Sequence, residues 1–587
     1  MIKLLKNLRK KDLLVMFVSF VLIFAQVWLE LKMPDYMSEI TVLVQTEGSA
    51  MKDILINGGY MMLCAFGSLV ASVIVGYLIA NISSNFSKIV RKKLFNKVEN
   101  MAMEEVKNFS TSSLITRTTN DITQVEMILS MGLQLLIKAP LTAIWTVTKI
   151  LNKSVEWSLI TAIAVAILLF VIGCLIIIVM PKFKIVQKLI DKVNNVTREN
   201  LTGIRVVRAF NAEKYQEEKF EEVNDKLTNQ QLFNQKAFAI MSPVMYLVMY
   251  GLTLAIYFTG AYLIKDALMA DKLTMFGNMI VFSSYAMQVI MSFLMLAMIF
   301  MMLPRASVSA KRINEVLDTK ITIKDGKISK LNNNMKGEIE FKNVSFKYPD
   351  AEDYLLKNIS FKASKGQTIA FIGSTGSGKS TLVNLIPRFY DVTEGEILVD
   401  GVNVKDYTQD YLHEKIGYVP QKAVMFNGTV SSNVAYGSCG QEITENKIKE
   451  AIKVAQAEDF VLNMDDKYET HIAQGGTNVS GGQKQRLAIA RAIARDPEIY
   501  IFDDSFSALD YKTDSILRHE LKKYTKDATN IIVAQRIGTI MNADKILVLD
   551  NGKCVGMGTH EELLKNCEVY KQIALSQLSK EELENAK

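Results

Sequence analysis

The sequence predicts two parts of different class: an α-helical, six-span transmembrane half with long helical extensions, then an α/β half built around a phosphate-binding loop. Three observations predict this. Apolar residues crowd into the first half of the 587-residue chain. A glycine-rich loop, Gly373 to Thr381, stands in the second half. Near residue 337 the long apolar runs give way to short β-branched strands alternating with helices.

A chain of this length exceeds what one core can organise, so at least two domains are expected. Hydrophobic residues make up 49% and the mean hydropathy is +0.15, high for a protein that meets only water. All three tryptophans (Trp28, Trp145, Trp157) fall in the apolar half. The net charge of +7 does not point to nucleic acid, because the Lys/Arg clusters alternate with apolar spans. Five cysteines (Cys64, Cys174, Cys439, Cys554, Cys567) lack any C-x-x-C spacing, which argues against a disulfide framework or a zinc site. The basic N-terminus leads into an apolar span with no small-residue cleavage site, so it is expected to be retained rather than cleaved.

The spans are expected at about 13–33, 54–82, 130–151, 157–180, 241–264 and 275–303. The third is interrupted by Lys138 and Lys149. Lys3, Lys6, Arg9, Lys10 and Lys11 place the N-terminus in the cytoplasm by the positive-inside rule. The acidic segment 34–53 then faces outward, and the basic segments 83–129 and 181–240 face inward. Short turns near 152–156 and 265–274 lie outside, and the C-terminal half is cytoplasmic. The predicted location is the cytoplasmic membrane, with membrane lipid as a surrounding partner. The inward segments have helical periodicity, and each is expected to turn over at a tip, near Ser113–Asp121 and Val207–Glu213. In span six, Met279, Met287, Met291, Met295, Met298, Met301 and Met302 suit either an adaptable cavity or lipid-facing packing. Gln288 and Asn278 are the better candidates for facing polar space. Residues 1–315 form the transmembrane domain, 316–336 (with Asn332 to Asn334) a polar linker, and 337–587 the nucleotide-binding domain.

Gly373-Ser374-Thr375-Gly376-Ser377-Gly378-Lys379-Ser380-Thr381 fits G-x-x-x-x-G-K-[ST]. Its glycines let several backbone N–H groups converge on one anion, and the following helix adds its positive end. Lys379 reaches the terminal phosphates of a nucleotide and Ser380 can ligate Mg²⁺. The apolar strand Ile499 to Phe502 ends in Asp503, a carboxylate suited to hold Mg²⁺ through water. Between these lies Val479-Ser480-Gly481-Gly482-Gln483.

With these motifs the second half resembles the ATPase domain of ABC transporters, whose hallmark is L-S-G-G-Q. The whole chain resembles a half-size ABC exporter of the type IV class, over nearly all its residues. The resemblance implies ATP and Mg²⁺ as cofactors, a transport ATPase activity and a small-molecule substrate. Tyr348 matches the aromatic that stacks on adenine, and Gln421 the glutamine that senses Mg²⁺ and the attacking water. Ser507 to Asp510 match the loop, ending in Asp510, between paired ATPase domains. In the family two such domains close head to tail. The Ser480 to Gln483 signature of one chain therefore completes the phosphate loop of the other.

Two positions depart from the family. The residue after Asp503 is Asp504 where the family has the Glu that polarises water, and Gln535 stands where it has the switch His. Asp is one methylene shorter, and a misplacement of about 1 Å can cost about 10²-fold. Gln535 can donate a hydrogen bond but cannot become cationic. Together they imply a degenerate, slowly hydrolysing site. The expected partner is a second half-transporter with intact Glu and His, as in bacterial heterodimeric multidrug exporters. A homodimeric lipid or peptide exporter with a working Asp504, an importer, and an ATP-gated sensor or channel remain open alternatives.

Overall fold

The structure is a computed structural model that describes residues 2–46, 48–151, 155–266, 269–331, 336–437 and 443–577. Parts of the turns expected near 152–156 and 265–274, the Asn332 to Asn334 run, Cys439, and the side chain of Met301 lie outside the described residues. The chain divides into two compact units: residues 1–99 with 109–319, and residues 100–108 with 320–587.

The first unit is helical. Its main helices are α1 (Lys10–Gln45) and α2 (Met51–Glu99). After the short α3 (Met103–Lys107), which belongs to the other unit, come α4 (Thr111–Thr118), α5 (Asn120–Met127) and α6 (Leu133–Leu151). Then follow α7 (Val155–Thr202), α8 (Ile204–Ala209), α9 (Glu213–Asp266) and α10 (Met269–Asp318). Among the described residues, six helical segments are long and apolar enough to cross a membrane by length and composition. A 48-residue helix such as α7 is about 70 Å long, more than twice a bilayer core of about 30 Å. Helix α1 runs on through Pro34 to Gln45, so the start of the acidic segment 34–53 is helical. The two lysines that interrupt the third span are answered by α1: Lys138 Nζ lies 2.8 Å from Glu30 and Lys149 Nζ 2.6 Å from Asp35.

The first inward turn differs from expectation. Ser113–Asp121 is largely helical, in α4 and α5. Residues 100–110 make the reversal instead, and α3 packs into the second unit. The cause is local: Glu105 accepts from both the backbone N–H and the hydroxyl of Thr322 at 2.6 Å. Asp121, placed at a tip by sequence, is buried and accepts from Ser309 at 2.8 Å. The second reversal runs through α8 to Glu213, close to where it was expected.

In the second unit, β1 (Ile339–Phe346) and β2 (Leu356–Ala363) precede β3 (Thr368–Gly373) and α11 (Lys379–Asn384). Next come β4 (Glu394–Val399), β5 (Val402–Asn403), β6 (Ile416–Val419), β7 (Gly428–Thr429) and β8 (His471–Ile472). The chain continues through α12 (Gly481–Ala494), β9 (Ile499–Asp503), α13 (Tyr511–Tyr524), β10 (Thr529–Val533), β11 (Lys545–Asp550) and β12 (Lys553–Gly558). A four-stranded antiparallel sheet has the order β2-β1-β4-β5, and a six-stranded sheet the order β12-β11-β3-β10-β9-β6. In the larger sheet β11, β3, β10, β9 and β6 are parallel. These strands are nearly continuous apolar runs, as burial on both faces demands. Ile499, Tyr500, Ile501 and Phe502 are each at most 1% exposed. Where the two sheets meet, Phe341 stacks on Phe361 and Phe361 meets Phe371 edge-on, with ring centroids 4.5 and 5.4 Å apart.

One buried ion cluster fixes the base of this unit. Lys415 Nζ donates to Asp400 at 2.8 Å and to Glu498 at 2.7 Å, and the Asp400 side chain is fully buried. Removing one member of such a pair strands a charge in low dielectric. Lys415→Met is expected to destabilise the second unit by about 3–5 kcal/mol. Adding Asp400→Asn, which keeps the left-handed turn at that residue (φ 51°), should recover part of the loss. Chemical denaturation of the wild type and both variants checks the order.

Candidate nucleotide site

The candidate residues follow the carboxyl ends of four neighbouring parallel strands. Gly373 ends β3, Asp503 ends β9, Gln535 follows β10, and Gln421 follows β6. Open α/β sheets bind ligands at this edge, where loops from adjacent strands converge.

The loop after β3 is shaped by its glycines. A Cβ at Gly373 would sit 2.0 Å from the carbonyl oxygen of Leu549, so no larger residue fits. Gly376 has φ +84° and nothing within 4 Å of where a Cβ would stand, leaving an open concavity. Lys379 arches back over the loop and donates to the carbonyls of Gly373 (2.8 Å) and Ser374 (2.7 Å). Burial pushes its ammonium below the ordinary lysine value, while Asp504 and Asp503 pull it back. Ser377 and Thr381 are buried, while Ser374 and Thr375 face solvent. Ser380 donates its hydroxyl to Asp503 at 2.8 Å. Hydroxyl plus carboxylate is the hard-oxygen set that suits Mg²⁺, an ion that takes few protein ligands and completes its shell with phosphate and water. Among the described residues no cluster of three His, Cys, Asp or Glu competes as a metal site. The residues present therefore fit a Mg²⁺-nucleotide.

The two departures meet at one atom. Asp504 is 8% exposed and its Oδ2 accepts from Gln535 Nε2 at 2.7 Å and from Gln421 Nε2 at 3.1 Å. Its backbone is held in the left-handed region (φ 48°), which an Asp tolerates better than most residues. Three residues singled out separately in sequence thus converge.

Tyr348 is half-buried, and its hydroxyl lies 3.0 Å from Thr381 Oγ1, beside the loop. One neighbour was missed: Lys107 Nζ stands over the Tyr348 ring at 4.8 Å and over Tyr390 at 5.4 Å. No local pattern marks Lys107, because its partner is remote in sequence. Tyr418, also missed, donates to Asn384 at 2.9 Å behind the loop.

Ser480, Gly481, Gly482 and Gln483 open the 14-residue α12. Ser480 caps it: the Gln483 side chain accepts from the Ser480 N–H (2.9 Å), and Ser480 Oγ accepts from the Gln483 N–H (3.3 Å). Ser480 and Gly481 are exposed, so the turn presents its hydroxyl and amides to solvent. Asp510 is exposed and caps α13, accepting from the Thr513 N–H at 3.0 Å. Among the described residues, no hydrogen bond ties this signature to residues 373–381.

A helical bundle of six potential spans, with a sheet domain carrying a phosphate loop and a capped S-G-G-Q turn, defines a membrane transport ATPase. The chain matches the ABC transporter transmembrane region over residues 13–293 and the ABC transporter family over residues 356–507. It belongs to the ABC transporters. It is 40% identical to an uncharacterized ABC transporter ATP-binding protein of Mycobacterium tuberculosis, across 88% of this chain and 87% of that one. It is 33% identical to the ATP-dependent lipid A-core flippase of Pseudomonas aeruginosa, across 84% and 80% of the two chains. Its fold is that of a bacterial Atm1-family ABC exporter solved with ATP bound, with TM-score 0.81 and 23% identity over 97% of this chain and 99% of that one.

A pH test follows from Asp503. Burial pushes its carboxyl above the ordinary Asp value, the Ser380 hydrogen bond pulls it back, and Asp504 adds to the rise. A raised folded-state value favours folding at low pH, and that contribution is lost as pH rises through it. Without nucleotide, Asp503→Asn should therefore raise the melting temperature at pH 7 and flatten its fall above pH ~4. The same variant should lose the Mg²⁺-dependent part of ATP affinity. Thermal melts across pH and titrations with a fluorescent ATP analogue check both.

Proposed function

We propose that the chain exports hydrophobic or amphipathic compounds across the cytoplasmic membrane, driven by ATP, as the subunit with the degenerate site of a heterodimer. Both termini face the cytoplasm in this reading. One observation carries the asymmetry: Asp504 Oδ2 accepts two glutamine amides at once. A general base needs a lone pair aimed at water. Here two donors crowd one oxygen of a side chain already a methylene short, and no imidazole stands by.

Tyr348 stacks on adenine, residues 373–381 wrap the phosphates, and Ser380, Asp503 and Gln421 hold Mg²⁺. Lys379 neutralises charge on the terminal phosphate. Ser480 to Gln483 serve the partner's phosphate loop, and Asp510 lies in the loop between the two ATPase domains. ATP stays longer in this chain's own pocket, while the partner supplies the productive Glu and His. Binding closes the pair and shifts the membrane helices between access states, a population shift set by differential affinity.

A second reading is favoured by the likeness to lipid A-core flippases: a homodimeric lipid exporter with a working Asp504. Steady-state ATP hydrolysis by the purified chain in lipid nanodiscs separates the two. On the asymmetric reading the chain alone is slow, Asp504→Asn changes little, and Asp504→Glu with Gln535→His raises turnover about 10²-fold. Brisk turnover that Asp504→Asn abolishes would falsify it.

A further inference from the structure

We infer that Gln577, on the last described helix, positions the switch segment and so sets how the site tells a triphosphate from a diphosphate. This rests on the reading that Gln535 stands at the switch position of the ATP site. It adds a residue forty-two positions away that acts through Gln535.

Helical spacing places Gln577 at its post. Helix α14 (Ile537–Ile540) follows the switch position, and helix α15 (Glu568–Gln577) closes the described residues. Tyr570, Ala574 and Gln577 recur at intervals of four and three, so they share one face of α15. Tyr570 and Ala574 are buried in one apolar cluster with Ala534, Ile537 and Ile540. That stripe docks α15 against the switch segment. Gln577 prolongs the stripe into the exposed region and brings an amide there.

The segment has need of both ends of that amide. Ile537 opens α14, so its N–H has no acceptor within the helix. Arg536, at the capping position, supplies no side-chain cap. Gln577 Oε1 accepts from the Ile537 N–H at 2.8 Å, and Gln577 Nε2 donates to the Gln535 carbonyl at 2.8 Å. One side chain thus grips the backbone on both sides of Arg536. Arg518 of α13 holds the next stretch, donating to the Gly538 carbonyl at 2.8 Å. With its backbone fixed, Gln535 donates one N–H to Asp504 Oδ2 at 2.7 Å and keeps a second N–H at an exposed edge. A glutamine side chain is costly to order, and a shift of about 1 Å at its root spoils its aim. The terminal phosphate is what separates ATP from ADP. A device that aims the switch amide therefore acts on triphosphate binding and leaves diphosphate binding alone. Glu at 577 would accept without donating, and Met would do neither.

The test displaces trinitrophenyl-ATP from the full chain in nanodiscs, once with the non-hydrolysable analogue AMP-PNP and once with ADP, both with Mg²⁺. It reads the ratio of the two affinities. Gln577→Met keeps the length and removes both hydrogen bonds. It should lower the preference for AMP-PNP about 5-fold while ADP binds as to wild type. Gln535→Ala should lower the preference as much, and adding Gln577→Met to it should change nothing further, since the two act as one unit. Gln577→Glu keeps the acceptor for Ile537, so it should melt at a higher temperature than Gln577→Met and still lack the preference. Tyr570→Phe breaks a 2.6 Å bond to His560 from the same helix. It should lower the melting temperature and leave the preference intact. A wild-type ratio in Gln577→Met beside a lowered one in Gln535→Ala would overturn the positioning role and leave the switch reading standing. Equal losses for both nucleotides, or the same lost preference in Tyr570→Phe, would overturn it too, as mere loosening of the helix. If Gln535→Ala discriminates like wild type, the switch reading falls and this inference with it.

Discussion

The second unit depends on one constraint: a carboxylate oxygen at the end of β9 that two amides reach from different loops. Asp504 Oδ2 ties the segment after β6 to the segment after β10 through Gln421 and Gln535. The parallel sheet makes this meeting possible, because β6, β9 and β10 are adjacent and end at the same edge. A Glu here would carry its oxygens about an ångström further from β9, past the position where both amides now meet. An imidazole in place of Gln535 would bring a ring and a titratable proton. The local geometry is thus self-consistent around an Asp with two glutamine donors.

The same logic of matched donors and acceptors governs the helical unit, in a harsher setting. Where no water is available, each ionised side chain must find a partner from another helix. Lys138 and Lys149 would prohibit α6 from lipid if left alone, yet both reach carboxylates on α1. The pairs also tie α6, and through Tyr285 α10, to a helix far earlier in the chain. Apolar packing around Ile23, Val27, Phe282 and Val289 supplies area without register. The ion pairs supply register, at the cost of desolvating four charges.

How much of this was legible in sequence depends on the range of the interaction. The phosphate loop and the S-G-G-Q turn are local: their glycines and their capping Ser480–Gln483 pair act within a few residues, so the pattern carries the shape. The apolar strand that ends in Asp503 was readable for the same reason. The convergence of Gln421, Asp504 and Gln535 was not, because strand order, rather than sequence order, brings them together. Lys138 and Lys149 appeared as flaws in a span because their partners lie more than a hundred residues earlier. The first inward turn was misplaced toward Ser113–Asp121. Polar composition there resembles a loop, whereas Ser309 and Arg312 of α10 hold Asp121 inside the helical unit. Lys107 over Tyr348 had no sequence signal at all.

Binding and cleavage are physically separable in this site. The groups that would grip a Mg²⁺-nucleotide are the loop after β3, Ser380 on α11 and Asp503 at the tip of β9. They are secured by backbone shape and by the Ser380–Asp503 hydrogen bond. The groups that would position water are Asp504 and Gln535, with Gln421 shared between the two tasks, and the three are held to each other rather than to the loop. A change of Glu to Asp or His to Gln at those positions leaves the glycine geometry of residues 373–378 untouched. Affinity can therefore persist while turnover falls, since only interactions stronger in the transition state accelerate the chemical step. The exposed Ser480 cap is equally independent of that site, because it is set by Gln483 and owes nothing to Asp504.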